Sequence, residues 1–204
     1  SLASFAGSRR HDLGHLLHLG YNMWGDWENP DVPYDLATWS AKPYLRFDAA
    51  VWRRLTQRMA DAGLNLVVLD LGEGVRYRSH PELAVEGSWS ADRLRRELDR
   101  LRRLGLEPIP KLNFSATHDI WLGPYERCVS SPLYYRVCAD LIAEVAALFD
   151  RPRFFHLGMD EETAAHQVNF RHVVARQFDL WWHEFLFLVE QVEGMAENVE
   201  ARLI

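Results

Sequence analysis

The chain has 204 residues, 48% of them hydrophobic and 25% charged, with a net charge of −6. That is enough for one substantial core at ordinary globular composition. Basic residues concentrate only between Arg93 and Arg103, which argues against a nucleic-acid partner, and no apolar run nears the roughly 20 residues of a membrane span.

The predicted elements alternate from the start. After a polar lead-in over residues 1–13, His15–Gly20 reads as a first strand. The loop from Trp24 to Arg46 is long for a simple connection, and long loops tend to carry function. A helix begins after Asp48, a good N-cap, with Phe47 placed to pack on Trp52. Trp52, Leu55 and Met59 share its expected inner face, and Gly63 closes it. Leu64–Asp70 is the second strand. A helix capped by Ser90 then runs to Gly105; its arginines are read as a solvated outer face and its leucines as the buried one.

Glu107–Asn113 fills the third strand slot, although Pro108 and Pro110 make it a poor central strand. Ser131-Pro132 opens a helix, with proline at its first position. That helix reaches about Phe149, with Val137, Leu141, Val145 and Leu148 at helical spacing. Residues 153–158 form the fourth strand and 173–192 a further helix, and no fifth strand is read in 195–204. The order βαβαβαβα implies α/β architecture with a parallel sheet and right-handed crossovers. Cys128 and Cys138 are expected as two packed, free thiols.

The chemistry-bearing stretch is Phe154-Phe155-His156-Leu157-Gly158-Met159-Asp160-Glu161-Glu162. An apolar strand ends in three carboxylates, and ligands of parallel sheets sit at strand carboxyl ends. Adjacent carboxylates do not both ionise freely, so one is pushed toward the protonated form and the other stays an anion. The competing reading is an acidic helix start. Two readings also compete elsewhere. His118 with Asp119 is either a base with its orienter or a loop turn. His156 is either a packed strand histidine or a partner of Asp160. Trp24, Trp27, Trp89 and Trp121 fall in predicted strand-end loops, where a flat ring could meet a sugar or fill the core. A metal site from His118, His156, Asp160 and Glu161 has the right ligand types but no supporting spacing, so no metal and no cofactor is expected.

The motif His156-x-Gly158-x-Asp160-Glu161 resembles the fourth-strand motif of glycoside hydrolase family 20, the β-N-acetylhexosaminidases. Asp70 followed by Gly74, Arg76 and Pro81-Glu82-Leu83 is similar to the family's second-strand loop, and Pro110 through His118 to its third-strand segment. Together these cover roughly residues 64–162. The chain departs from the family at Met159, where a second glycine is usual.

The resemblance implies a parallel (β/α)8 barrel of the TIM type, of which residues 1–204 would be a single, partial domain with about the first four βα units. A second half of the barrel or a partner chain is then expected. It implies hydrolysis of terminal N-acetylhexosamine by a retaining, substrate-assisted mechanism, with carbohydrate as substrate and an exported location. Glu161 would be the general acid/base and Asp160 would orient the acetamido group. Arg76, His118, Trp121, His156 and Asp70 would line the substrate pocket, although Arg76 could instead pair with Glu73. The alternatives are a carbohydrate-binding protein without catalysis, and a glycosidase for sugars lacking the acetamido group. The second needs a separate carboxylate nucleophile about 5 Å from Glu161, for which Asp70 and Asp119 are the candidates.

Overall fold

The computed structural model describes residues 11–26, 33, 40–115, 118–126, 128, 131–159, 186–187, 189–191 and 202–203. The architecture is α/β with parallel strands. Strand β1 (Gly14–His18) pairs with β2 (Leu66–Asp70), and β2 pairs with β3 (Glu107–Lys111), all in parallel. Strand β4 (Phe154–Phe155) lies beyond β3, and β5 (Arg202–Leu203) pairs parallel with β4. The fifth strand corrects the expectation that residues 195–204 hold none. Two short residues of ladder leave almost no period-2 signal to read.

The prolines of β3 explain how β4 attaches. Glu107 and Lys111 bond toward β2, through Glu107 N–H to Asn65 O at 2.8 Å and Leu71 N–H to Lys111 O at 3.0 Å. Pro108 and Pro110 therefore face β4, where neither can donate. The rung that forms is Lys111↔His156. In it His156 N–H donates to Pro110 O at 2.9 Å, and Leu112 N–H donates to His156 O at 3.1 Å. The rung below would need an N–H from Pro110. Pairing between β3 and β4 is thus concentrated at their carboxyl ends, and a sequence that reads as a poor central strand serves as one.

Helix α1 (Ala49–Asp61) starts at Asp48, whose carboxylate accepts from Ala50 N and Val51 N at 2.8 Å. Phe47 and Trp52 meet at 5.6 Å between ring centroids. The buried face is Trp52, Thr56 and Met59. Leu55, expected there, is exposed; the inward position four residues after Trp52 belongs to Thr56, whose hydroxyl donates to Trp52 O. Helix α2 (Ala91–Arg103) is capped by Ser90 and buries Leu94, Leu98 and Leu101. Each buried leucine contributes about 1.5–3 kcal/mol. Helix α3 (Pro132–Leu148) starts at Ser131 and buries Val137, Leu141, Val145 and Leu148 as its spacing predicts.

Trp89 closes the core between α1 and α2. It sits 5.8 Å from Trp52 and 5.0 Å from Phe47, and is buried. The reading of Trp89 as a sugar-stacking ring is therefore corrected to packing. Cys128 and Cys138 are buried, and neither is in a disulfide. Of the helix expected over 173–192, residues 186–187 and 189–191 are helical, and the rest, with Trp181 and Trp182, lies outside the described residues. Among the described residues no helix is long and apolar enough to cross a membrane.

Candidate active site

The last residues of the strands line up in one row. His18 is in register with Asp70, Asp70 with Lys111, and Lys111 with His156. Residues in register across parallel strands share a face, so four apolar strands end in a continuous polar rung, His18–Asp70–Lys111–His156. Asp70 has no exposed surface. Its Oδ2 lies 2.9 Å from Lys111 Nζ and 3.3 Å from His18 Nδ1. Burying a carboxylate alone would cost several kcal/mol, and the ammonium beside it offsets that cost.

Directly after the rung, the chain makes a turn that glycine alone tolerates. Gly158 has φ +66°. A Cβ placed there would lie 2.7 Å from Asn113 Cα and 3.0 Å from both Leu112 O and Lys111 Cε. The chain after β4 is thus pressed against the end of β3, beside the lysine of the rung. His156 Nδ1 accepts from Gly158 N–H at 3.0 Å, and Phe114 N–H donates to Leu157 O at 3.1 Å, holding the turn. For His156 this is a backbone-bracing role at the end of its strand.

A second bracing system shapes the loop after β1. Glu73 sits in a 3-10 turn (Gly72–Gly74) after β2 and is buried. Its Oε1 accepts from Tyr21 N–H at 2.7 Å and Asn22 N–H at 3.0 Å. Burial pushes its pKa up and the charge of Asp70 adds to this, while the amide bonds pull the other way. The side chain of Asn22 then bonds both backbone groups of Lys42 at 3.0 Å. The loop so anchored carries Trp24, whose ring lies 4.6 Å from that of His118 and 6.2 Å from that of His18.

These positions sort the residues expected from sequence. Asp70 and His156 stand in the rung. His118 is buried against Trp24. Trp121 is enclosed, 2% exposed, with its indole N–H donating to Asn113 O at 2.7 Å; the expectation of an open ring face there is corrected, because the indole faces are used in packing. Arg76 is exposed, and its backbone N–H donates to Trp89 O at 2.9 Å. Its suggested surface partner, Glu73, is buried and turned to the β1 loop, so that pairing is also corrected. Asp160, Glu161 and Trp27 lie outside the described residues. Among the described residues, no three His, Cys, Asp or Glu side chains gather as a metal site.

Lys111, His18, Glu73 and Asn22 were not read as site residues from the sequence. For Lys111 and His18 a signal existed: each is a polar residue ending an apolar strand, as Asp70 is. For Glu73 and Asn22 none existed, because they meet across 51 positions of sequence.

No family model matches the chain, and no curated protein matches its sequence. Solved structures do match its fold. The Flavobacterium johnsoniae chitobiase superposes with a TM-score of 0.62 at 16% identity, over 76% of this chain and 28% of that one. The family 20 β-N-acetylhexosaminidase of Streptomyces coelicolor A3(2) gives 0.58 at 14% identity, over 96% and 39%. The β-N-acetylhexosaminidase of Bacteroides fragilis gives 0.58 at 12% identity, over 77% and 39%. This chain therefore spans less than half the length of each of these structures, and its fold is related to that of the glycoside hydrolase family 20 β-N-acetylhexosaminidases.

Proposed function

We propose that this chain supplies the acid-bearing part of a glycosidase that removes terminal N-acetylhexosamine, its strands being consecutive staves of a TIM-type (β/α) barrel whose remaining staves come from further sequence or a partner chain. The carrying observation is the His18–Asp70–Lys111–His156 rung, from which the tight turn at Gly158 leads to Asp160 and Glu161 within three residues. The likeness in fold to hexosaminidase structures supports the same reading.

In this mechanism Glu161 gives its proton to the glycosidic oxygen as the bond to the anomeric carbon breaks. The acetamido carbonyl oxygen of the substrate, oriented by Asp160, closes on that carbon. Water then opens the resulting ring, giving its proton to Glu161, so configuration is retained. A mechanism with Asp70 or Asp119 as nucleophile is disfavoured by burial. Asp70 is fully enclosed beside Lys111 and Asp119 is 1% exposed, so neither candidate carboxylate presents itself to a sugar.

The test is hydrolysis of an aryl N-acetyl-β-glucosaminide by the barrel completed with its remaining staves, carrying either Glu161 or Glu161→Gln. The expected result is loss of turnover by at least about a hundredfold with an unchanged thermal midpoint. Equal turnover in the two proteins would overturn the assignment.

A further inference from the structure

The arginines of α2 are not uniformly solvated. Arg95 pairs with Asp92 at 3.5 Å and Arg102 with Asp99 at 3.2 Å, on one flank of the helix. The positions 93, 96, 100 and 103 follow an i, i+3, i+7, i+10 spacing, which is a single stripe along a helix. All four line a groove of about 300 Å³ between α1 and α2, joined from α1 by Arg53. Among the described residues, the one carboxylate on that groove is Glu97, which is held by Arg100 and by the Trp52 indole N–H at 2.6 Å. Arg53, Arg93, Arg96 and Arg103 make no ion pair with any described residue. Arg93 is instead propped over the Trp89 ring, 4.6 Å from its centroid, and over Phe47 at 5.4 Å.

A chain of net charge −6 thus gathers unneutralised guanidinium groups in a single groove that shares no residue with the strand-end rung. Like charges so placed repel each other, and an anion relieves that repulsion. Guanidinium forks match planar carboxylate and tetrahedral sulfate oxygens. Ten residues of helix rise about 15 Å, so the stripe suits a linear ligand with anionic groups repeated along it rather than one small ion.

Nucleic acid is the weaker fit. Single strands are held by open aromatic faces; here Trp52 and Trp89 are 7% and 2% exposed, and the half-buried Phe47 has Arg93 over its ring. We propose that the α1–α2 groove is a binding surface for an acidic polysaccharide, bearing carboxylate or sulfate groups on successive sugars. The proposal does not rest on the catalytic reading, and its readout is binding alone.

The experiment is titration calorimetry of the full chain at low salt with three probes of equal charge: an oligogalacturonate, a heparin-derived oligosaccharide and a single-stranded oligonucleotide. The Arg96→Ala/Arg103→Ala variant is compared with Arg95→Ala/Arg102→Ala, which removes the same net charge from the other flank. The expected result is binding of one or both glycans, weakened about threefold to thirtyfold in the groove variant, little changed in the flank variant, and fading as salt rises. Three results would overturn the proposal: no glycan binding, equal weakening in both variants, or tighter binding of the oligonucleotide.

Discussion

Lys111 Nζ stands 2.9 Å from Oδ2 of Asp70, in a place where the aspartate has no exposed surface and the lysine side chain only 6%. The pair joins the ends of two neighbouring strands at the level where the polar rung crosses the sheet. Removing one partner strands the other charge in the interior, which costs about 3–5 kcal/mol. Lys111→Met is therefore expected to destabilise the fold by that amount in urea denaturation. The double variant Lys111→Met/Asp70→Asn is expected to recover a large part of it. Equal loss in single and double variants would show that packing of the lysine stem, not charge pairing, sets the effect.

Gly158 is the second point of constraint. Its φ of +66° and its contact with Asn113 leave no room for a methyl group. Gly158→Ala must both strain its backbone, at about 1–3 kcal/mol, and push β4 away from β3. The expected readout is a lower denaturation midpoint together with faster amide exchange at His156 and Leu112, whose N–H groups form the connecting rung. An unaltered midpoint would mean that the turn relaxes without strain.

Glu73 sets a pH dependence with a definite sign. Its folded pKa is raised, chiefly by burial, so the folded state holds that proton more tightly than the unfolded state does. Its contribution to stability is present below the ordinary carboxylate range and is lost as pH rises through the raised value. Glu73→Gln keeps an oxygen for the Tyr21 and Asn22 amides and removes the titration. Thermal melts across the acid-to-neutral range should then show a flatter profile for the variant than for the wild type. Parallel profiles would rule Glu73 out as the titrating group.

The helix caps offer a smaller, local effect. Asp48 accepts two N–H groups at the start of α1, and Ser90 accepts from Arg93 N–H at 3.2 Å at the start of α2. Replacing either with alanine is expected to lower stability by about 1 kcal/mol, measured by chemical denaturation. The two losses should add, since the caps share no partner.

Local chemistry made the helices legible from sequence. Asp48, Ser90 and Ser131-Pro132 each satisfy N–H groups within three residues, and leucine spacing on α2 and α3 fixes the buried face without reference to any other element. The parallel α/β order followed from the same alternation. Leu55 and Thr56 show the limit: which of two neighbouring positions is buried depends on how the helix rolls against Trp89 and α2, where Arg100 donates to the Thr56 hydroxyl at 2.7 Å.

The site divides along the same line. Asp70 at the end of an apolar strand, and the glycine before the paired acids, were visible as residues. Their meaning was decided only by registration. His18, Asp70, Lys111 and His156 come from segments tens of residues apart, and they become one rung because each strand slides to the register its hydrogen bonds allow. Pro110, by lacking an N–H, confines the β3–β4 bond to that rung. Glu73 reaches the β1 loop across 51 positions, whereas the arginine pairs of α2 join residues three apart within the helix. Short-range bonding is written into neighbouring residues; long-range pairing of charges exists only once the backbone has closed.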